Sequence, residues 1–172
     1  MRVLGAILSG GQSRRFGSDK AMAVLHGKTL AEHVREALMP QVAAVVSCGR
    51  PLLGLEGLAD RPAPGLGPLA GLNAALHVAA ARGFDAVLSV PCDSPELPGD
   101  LLERLGAAPA YVADMPVIGL WPAALASELD RHLATDPRRS MRGWAERVAA
   151  RPVSGWHPIR NVNTPADLLT PG

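Results

Sequence analysis

Residues 3–17 read Val3-Leu4-Gly5-Ala6-Ile7-Leu8-Ser9-Gly10-Gly11-Gln12-Ser13-Arg14-Arg15-Phe16-Gly17, an apolar run followed by a loop rich in glycine and arginine. A short, continuous apolar run that ends at glycines predicts a buried strand. In doubly wound α/β sheets, ligands bind beyond the carboxyl ends of such strands. The loop after Leu8 is therefore the first candidate for a binding site.

The chemistry of this loop favours an anionic ligand. Gly10 and Gly11 allow the backbone to approach a phosphate closely and to present amide N–H groups to it. Arg14, Arg15 and Lys20 place three cations within seven residues, and these repel one another unless an anion binds between them. A solvated turn that uses glycine only for its geometry is the alternative. The loop is not a Walker A motif, and it does not match Gly-x-Gly-x-x-Gly.

The rest of the chain alternates between strand and helix patterns. Strands are predicted over residues 42–47, 55–60, 86–90 and 117–121. Helices are predicted over residues 29–38, 68–82 and 98–105. Three further helices are predicted in the segment that carries Leu125, Leu129 and Leu133, in the segment after Ser140, and in a short segment from Pro165. This alternation predicts a three-layer α/β/α fold with a mostly parallel central sheet.

Length and composition restrict the class of protein. A chain of 172 residues that is 48% hydrophobic suits a single domain, residues 1–172, with a less regular part after Gly106. The formal net charge is +1 and the apolar runs are short, so neither nucleic acid nor a membrane is expected as a partner. Two cysteines, Cys48 and Cys92, do not make a disulfide framework, which favours a reducing cytoplasm. The five histidines show no zinc-ligand spacing.

Two carboxylates follow predicted strands. Asp93 comes directly after the buried run at residues 86–90, and its carboxylate is expected at the carboxyl edge of the sheet. Mg²⁺ takes one or two carboxylates and completes its shell with water and substrate phosphates, so Asp93 is the candidate metal ligand. Asp60 ends an earlier strand-like run. For both residues the alternative is a structural role, as a turn aspartate or a solvated strand end.

Several segments together resemble one family. They are Leu8-Ser9-Gly10-Gly11 continuing to Asp19-Lys20, Leu25-His26-Gly27-Lys28-Thr29-Leu30, Gly67-Pro68-Leu69-Ala70-Gly71, Pro91-Cys92-Asp93-Ser94-Pro95, Pro116-Val117-Ile118-Gly119-Leu120-Trp121 and Asn161-Val162-Asn163-Thr164-Pro165. This set is similar to the molybdopterin guanylyltransferase (MobA) family of nucleotidyltransferases, and it covers nearly the whole chain. The resemblance implies a Rossmann-like nucleotidyltransferase domain, nucleotide-binding over residues 1–106 and directed toward a second substrate over residues 107–172.

The resemblance also implies roles for individual residues. Catalysis is assigned to Lys20, Arg15 and Asp93; nucleotide binding to Leu8, Ser9, Gly10, Gly11, Lys20, Asp60 and Asp93; the Mg²⁺ ligand is Asp93; and Asn161 and Asn163 lie toward the second substrate, where they can also help to hold the metal. Ser9 stands where the family usually has alanine, and Cys48 where an asparagine commonly lies near the guanine. A thiol cannot replace the donor and acceptor pair of an amide.

The implied reaction transfers GMP from GTP to molybdopterin, with Mg²⁺ as cofactor and with transient contact to other molybdenum-cofactor proteins. Cys48 keeps CTP open as the nucleotide, and a sugar phosphate remains open as the acceptor. A non-catalytic nucleotide-binding module is an alternative of another class. Arg138, Arg139 and Arg142 either bind the phosphate of the second substrate or form an exposed helix start.

Overall fold

A computed structural model describes residues 1–9 and 20–169 of the chain. The strands are β1 (Val3–Leu8), β2 (Val24–Leu25), β3 (Lys28–Thr29), β4 (Ala44–Cys48), β5 (Glu56–Leu58), β6 (Ala86–Pro91), β7 (Ala110–Val112), β8 (Met115–Pro122) and β9 (Arg151–Val153). The α-helices are α1 (Leu30–Leu38), α2 (Pro68–Ala81), α3 (Leu101–Leu105), α4 (Ala126–Thr135) and α5 (Met141–Arg147). Short 3-10 turns cover Lys20–Met22, Met39–Gln41, Ala123–Leu125 and Pro165–Leu169.

Among the described residues, seven strands form one sheet in the order β5-β4-β1-β6-β8-β7-β9. The pairs β1–β4, β1–β6, β4–β5 and β7–β9 are parallel, whereas β8 runs antiparallel to both β6 and β7. Strands β2 and β3 form a separate hairpin. The carboxyl ends of β1, β4 and β6 therefore meet at one edge of the sheet. The first residues of β8 reach the same edge.

Helices cover both faces of the sheet, because its strands are apolar on both sides. On β1, Leu4 and Leu8 pack into the cluster formed with α2, α4 and α5. Val3 and Ile7 pack into the opposite cluster, with α1 and α3. Alternating side chains along a strand point to opposite faces, so β1 contributes to both layers. The expected three-layer α/β/α fold with a mostly parallel sheet is confirmed.

The helix boundaries follow local capping chemistry. Thr29 caps α1 in a capping box with Glu32, and each side chain bonds the other residue's backbone N–H. Pro68 begins α2, where its missing N–H costs no hydrogen bond. The Ser140 hydroxyl accepts from Gly143 N–H at the start of α5.

Some elements differ from the predicted ones. The run at residues 55–60 is shorter as a strand, since β5 covers only Glu56–Leu58, and the helix expected from Pro98 begins at Leu101. The segment from Pro165 is a 3-10 turn. Strands β7 and β9 were not expected, because three residues each give too short a pattern to recognise. Both continue the main sheet beyond Gly106.

Within residues 1–9 and 20–169, no helix has the length and apolar character that a membrane span requires.

Candidate nucleotide and metal site

A cavity of about 150 Å³ opens beyond the carboxyl ends of β1, β4 and β6. We call it the main cavity. Its walls come from the strand ends, the first turn of α2 and the loop after β6, and they comprise Leu8, Lys20, Cys48, Asp60, Gly67, Pro68, Gly71, Pro91, Cys92, Asp93 and Val117. Four predicted site residues, Leu8, Lys20, Asp60 and Asp93, therefore line one cavity. Cys48, which stands where the family commonly has asparagine, lines it as well.

Lys20 and Asp93 form an ion pair in this cavity. Lys20 Nζ lies 2.7 Å from Asp93 Oδ2, and the Asp93 side chain is only 9% exposed. Asp93 follows β6 directly, and its carbonyl accepts a hydrogen bond from Val162 N–H at 2.9 Å. A buried carboxylate requires a counter-charge, which the lysine provides. The pair thus places one cation and one anion where a charged ligand would enter.

Asp60 also lines the main cavity, and it lies in the segment between β5 and α2. Partial burial raises the pKa of the Asp60 carboxyl above its ordinary value. The next residue is anchored, since Arg61 N–H donates to the Ala70 carbonyl at 3.1 Å. Glycine allows a close approach nearby, because a Cβ at Gly71 would lie only 3.0 Å from Cys48 Cβ, which is tighter than an ordinary contact. Helix α2 can therefore pack closely against the end of β4.

Ser9 contacts the protein rather than the main cavity. Its hydroxyl lies 2.9 Å from Ser47 Oγ and donates to the Cys48 carbonyl at 2.8 Å, and its N–H also bonds that carbonyl. These bonds tie the start of the loop after β1 to the end of β4. Gly10, Gly11 and Arg15 lie outside the described residues, so their predicted roles stay predictions.

Cys48 ends β4 and is fully buried in the cavity wall. Burial, with a smaller contribution from the negative charge of Asp60, raises the pKa of the Cys48 thiol to about 12. The pKa of Cys92 is raised to about 11, mainly by burial. Both thiols are free and are neutral near neutral pH. They act as small apolar groups there, and neither is activated as a nucleophile.

The two asparagines of the closing segment differ in placement. Asn161 Oδ1 accepts a short hydrogen bond from the hydroxyl of Ser94, the buried residue after Asp93. This contact brings the closing segment to the edge of the main cavity. Asn163 is exposed, and its backbone N–H donates to Asp167 Oδ2. Ser94 was not predicted as a site residue, although its position next to Asp93 was a usable signal.

The candidate phosphate-binding arginines have protein partners. Arg138 pairs with Asp136 Oδ2 at 3.2 Å, and Arg142 Nη2 donates to the Ala113 carbonyl at 3.1 Å. Both lie on or before the start of α5, which was one of the two interpretations. Arg139 has an unusual backbone, with φ at 48°.

A hydrogen-bond network that the sequence did not predict supports the Asp60 wall. Asp130 of α4 accepts from Arg61 Nε and Nη2, from Asn73 Nδ2 at 2.8 Å, and contacts His77 Nε2 at 2.9 Å. The hydrogen bond from Arg61 is the largest cause of an Asp130 pKa lowered to about 2. These residues lie far apart in sequence and show no motif, so only the fold brings them together.

The donors in the main cavity suit a hard cation. The described residues contain no cluster of three or more His, Cys, Asp or Glu that could form a complete metal cage. Asp93 and Asp60 instead offer carboxylate oxygens in a space large enough for phosphate groups. Mg²⁺ is usually bound in this way, by one or two carboxylates with the substrate phosphates. The residues therefore fit a cation that arrives with a nucleotide.

The carboxyl edge of a doubly wound sheet is where such folds bind nucleotides. Together with the paired lysine and aspartate, the cavity at this edge defines a nucleotide-binding α/β protein. A family model described as the MobA-like NTP transferase domain matches residues 5–150. The chain belongs to this family of nucleotidyltransferases, whose members act on nucleoside triphosphates and generally use a divalent metal ion.

Named relatives agree with this assignment. The chain is 44% identical to a molybdenum cofactor guanylyltransferase from Rhodobacter capsulatus, over 98% of this chain and 94% of that one. It is 40% identical to the protein of that name from Acidiphilium cryptum, over 94% and 90%. The solved structure of molybdopterin-guanine dinucleotide biosynthesis protein A from Archaeoglobus fulgidus superimposes with a TM-score of 0.71 at 26% identity, covering 96% of this chain and 95% of that one.

Proposed function

We propose that this protein transfers GMP from GTP to the terminal phosphate of molybdopterin, forming molybdopterin guanine dinucleotide and releasing pyrophosphate. The observation that carries the proposal is the Lys20–Asp93 pair in the main cavity. It occurs in a chain 44% identical to a molybdenum cofactor guanylyltransferase.

The reaction needs no covalent protein intermediate. A phosphate oxygen of the acceptor forms a bond to the α-phosphorus of GTP, and the bond from that phosphorus to the bridging oxygen breaks. Pyrophosphate leaves with the electron pair. The protein contributes by positioning the two substrates and by stabilising negative charge. The neutral, buried thiols of Cys48 and Cys92 are consistent with this direct transfer.

Lys20 and Asp93 have complementary tasks. Each neutralises the other before substrate binds, at a distance of 2.7 Å. The Lys20 ammonium is a compact point charge on a flexible stem, so it can turn from the carboxylate to a phosphate oxygen. Arg15 of the loop would add a second cation.

We infer Mg²⁺ as the metal, with Asp93 as its protein ligand and Asp60 as a nucleotide-binding residue beside it. When bound, Mg²⁺ would offset charge on the phosphates. Asn161 supports this arrangement, because its hydrogen bond with the Ser94 hydroxyl holds the residue that follows Asp93. We place the enzyme in a reducing cytoplasm, in agreement with its two free thiols.

One observation favours a different nucleotide as the donor. Cys48 presents a neutral thiol at the wall of the main cavity, where an amide would have supplied paired hydrogen bonds to guanine. CTP is therefore the alternative donor.

Isothermal titration with GTP, CTP, ATP and UTP, each with and without Mg²⁺, tests the proposal. We expect the strongest binding for GTP and a dependence of that binding on Mg²⁺. A clear preference for CTP would overturn the guanylyl assignment while leaving the nucleotidyltransferase class intact. Binding that is indifferent to Mg²⁺ would contradict the metal role.

A further inference from the structure

A second cavity, of about 200 Å³, lies at the same sheet edge as the main cavity. We call it the edge cavity. It is lined by the ends of β7 and β8, by the turn between them and by the segment after β9, including Met115, Trp156 and Ile159 as apolar walls and Asp114 as a carboxylate. The resemblance places these residues in the part of the chain directed toward the second substrate, but no individual role is assigned to any of them above.

The two cavities are neighbours along β8. Met115 lines the edge cavity and Val117 lines the main cavity. Side chains two residues apart on a strand lie on the same face, about 7 Å apart along it. The loop after β6 connects them as well, since the Ser94 hydroxyl lies 3.9 Å from Met115 Sδ and also bonds Asn161. A ligand in the edge cavity would therefore point one end toward Asp93.

Several contacts hold the edge cavity in shape without a ligand. Trp156 Nε1 donates to the Val153 carbonyl at 2.8 Å, and the Arg104 guanidinium lies 3.9 Å from the centre of the Trp156 ring. Arg142 bonds the Ala113 carbonyl in the turn that carries Asp114. The side chain of Asp114 is exposed at this turn. A rigid indole beside an accessible carboxylate makes a preformed site for a flat, polar heterocycle.

The carboxylate restricts the chemistry of the heterocycle. Two carboxylate oxygens match two adjacent N–H donors, as they do in bidentate guanidinium pairs. A 2-amino-4-oxo pyrimidine edge, as in a pterin or in guanine, offers such donors. Since the main cavity is assigned to the nucleotide, the acceptor is the better fit for the edge cavity.

We propose that the edge cavity binds the pterin ring of the acceptor, with Asp114 pairing to its amino edge and its phosphate directed toward Asp93 and Lys20. This rests on the proposed function, because it names the site of the second substrate of that reaction. The acceptor and the nucleotide would then approach each other along β8.

The test measures two ligands separately in the wild type and in three variants. Calorimetric titration with 6-hydroxymethylpterin and with GTP·Mg²⁺ is carried out on the wild type, on Asp114→Asn and on Asp114→Glu. Asp100→Asn serves as the matched control, because Asp100 is an exposed carboxylate at the start of α3 and lines neither cavity. We expect Asp114→Asn to weaken pterin binding about tenfold or more, the loss typical of a charged hydrogen-bond partner. Asp114→Glu should retain part of the affinity, and GTP binding should not change.

Turnover distinguishes this inference from the proposed function. The KM for molybdopterin should rise in Asp114→Asn by the same factor, with the KM for GTP unchanged. If the wild type forms the dinucleotide but Asp114→Asn leaves both pterin affinity and molybdopterin KM unchanged, the edge-cavity site is wrong. If Asp114→Asn weakens GTP and spares pterin, the cavity binds guanine, which also overturns it. A wild type that binds pterin through Asp114 but forms no dinucleotide would contradict the proposed function alone.

Discussion

Lys20 Nζ lies 2.7 Å from Asp93 Oδ2, in a cavity beyond the ends of the central parallel strands. The two residues are 73 positions apart in sequence, and the fold pairs them because β1 and β6 are adjacent and parallel. The lysine comes after β1 and the aspartate after β6. The loops that follow two neighbouring parallel strands therefore supply the two opposite charges of the site.

Replacing Lys20 by Arg should reduce turnover although the charge is kept. A planar guanidinium offers a fixed fork, whereas the reaction needs a point charge that can exchange a carboxylate for a phosphate. We expect a loss of about tenfold or more in kcat. Steady-state kinetics with GTP and molybdopterin check it, and Lys28→Arg is the control because Lys28 pairs with Glu36 at the surface. Wild-type rates for Lys20→Arg would show that any cation suffices.

Asp130→Asn should raise the KM for GTP more than it lowers kcat. The substitution weakens the bonds from Arg61 and His77 that hold the wall next to Asp60, and it removes no group from the main cavity. Glu128→Gln is the matched control, because Glu128 is a carboxylate of the same helix that pairs with Arg131 and Arg147 instead. Equal effects of the two variants on the KM would contradict the positioning role.

The same variant should change the acid stability. The pKa of Asp130 is lowered from 3.8 to about 2 in the folded protein, chiefly by the Arg61 hydrogen bond. A lowered folded-state pKa gives a stabilisation that is present above the unfolded pKa and is lost as the pH falls through the folded one. The difference in unfolding free energy between wild type and Asp130→Asn should therefore be constant at pH values above the unfolded-state pKa of 3.8. It should shrink as the pH falls from 3.8 toward about 2. Urea unfolding at a series of pH values measures it, and a difference that grows with acidification would contradict it.

Gly119→Ala should destabilise the fold. A Cβ at Gly119 would lie 2.4 Å from Trp121 Cζ2 and 2.8 Å from Trp121 Nε1. The Trp121 ring is fully buried and its Nε1 donates to Ser89 Oγ, so it has no room to move aside. Overpacking of this kind typically costs about 1–3 kcal/mol. Urea unfolding provides the value.

Gly99→Ala is the control for that substitution, because a Cβ at Gly99 would meet no atom within 4 Å. Equal unfolding free energies for the two variants would show that the core around Trp121 adapts.

Cys48→Asn should increase the preference for GTP over CTP. The thiol, with a pKa raised to about 12, contributes no charge and only weak hydrogen bonding at the cavity wall. An amide there would supply a donor and an acceptor to guanine. We expect the ratio of GTP to CTP affinity to rise several-fold, roughly the effect of one added neutral hydrogen bond. Cys48→Ser controls for loss of the thiol. An unchanged ratio of GTP to CTP affinity in Cys48→Asn would show that the base does not bind beside residue 48.

The sequence predicted the parts of this protein that depend on local patterns. The apolar runs of β1 and β6 and the Pro68 start of α2 identify the layered fold, and Asp93 is marked by its position directly after a strand. Lys20 is marked by the cluster of cations after β1 and Asp60 by its place at the end of a strand-like run, and the resemblance assigned both residues their roles. The Asp130 network could not be predicted, because Arg61, Asn73 and Asp130 become neighbours only when α2 packs against α4. The edge cavity could not be predicted either, because its walls come from separate segments of the chain.

Ser9 shows a further limit of sequence reasoning. It was expected to bind the nucleotide, as part of the loop that follows β1. In the structure its hydroxyl bonds the end of β4, 2.8 Å from the Cys48 carbonyl. The predicted role of Ser9 in nucleotide binding stays a prediction. A hydroxyl in a binding loop can bond ligand or protein, and only the packed structure shows the protein partners.

Pyrophosphate release tests the central claim most directly. Purified protein is supplied with GTP, Mg²⁺ and molybdopterin, and the pyrophosphate formed is compared between wild type and Asp93→Asn, with folding checked by circular dichroism. The wild type should release one pyrophosphate for each molybdopterin guanine dinucleotide formed, and folded Asp93→Asn should release essentially none. Pyrophosphate release at the wild-type rate from Asp93→Asn, or none from the wild type with GTP, would contradict the account.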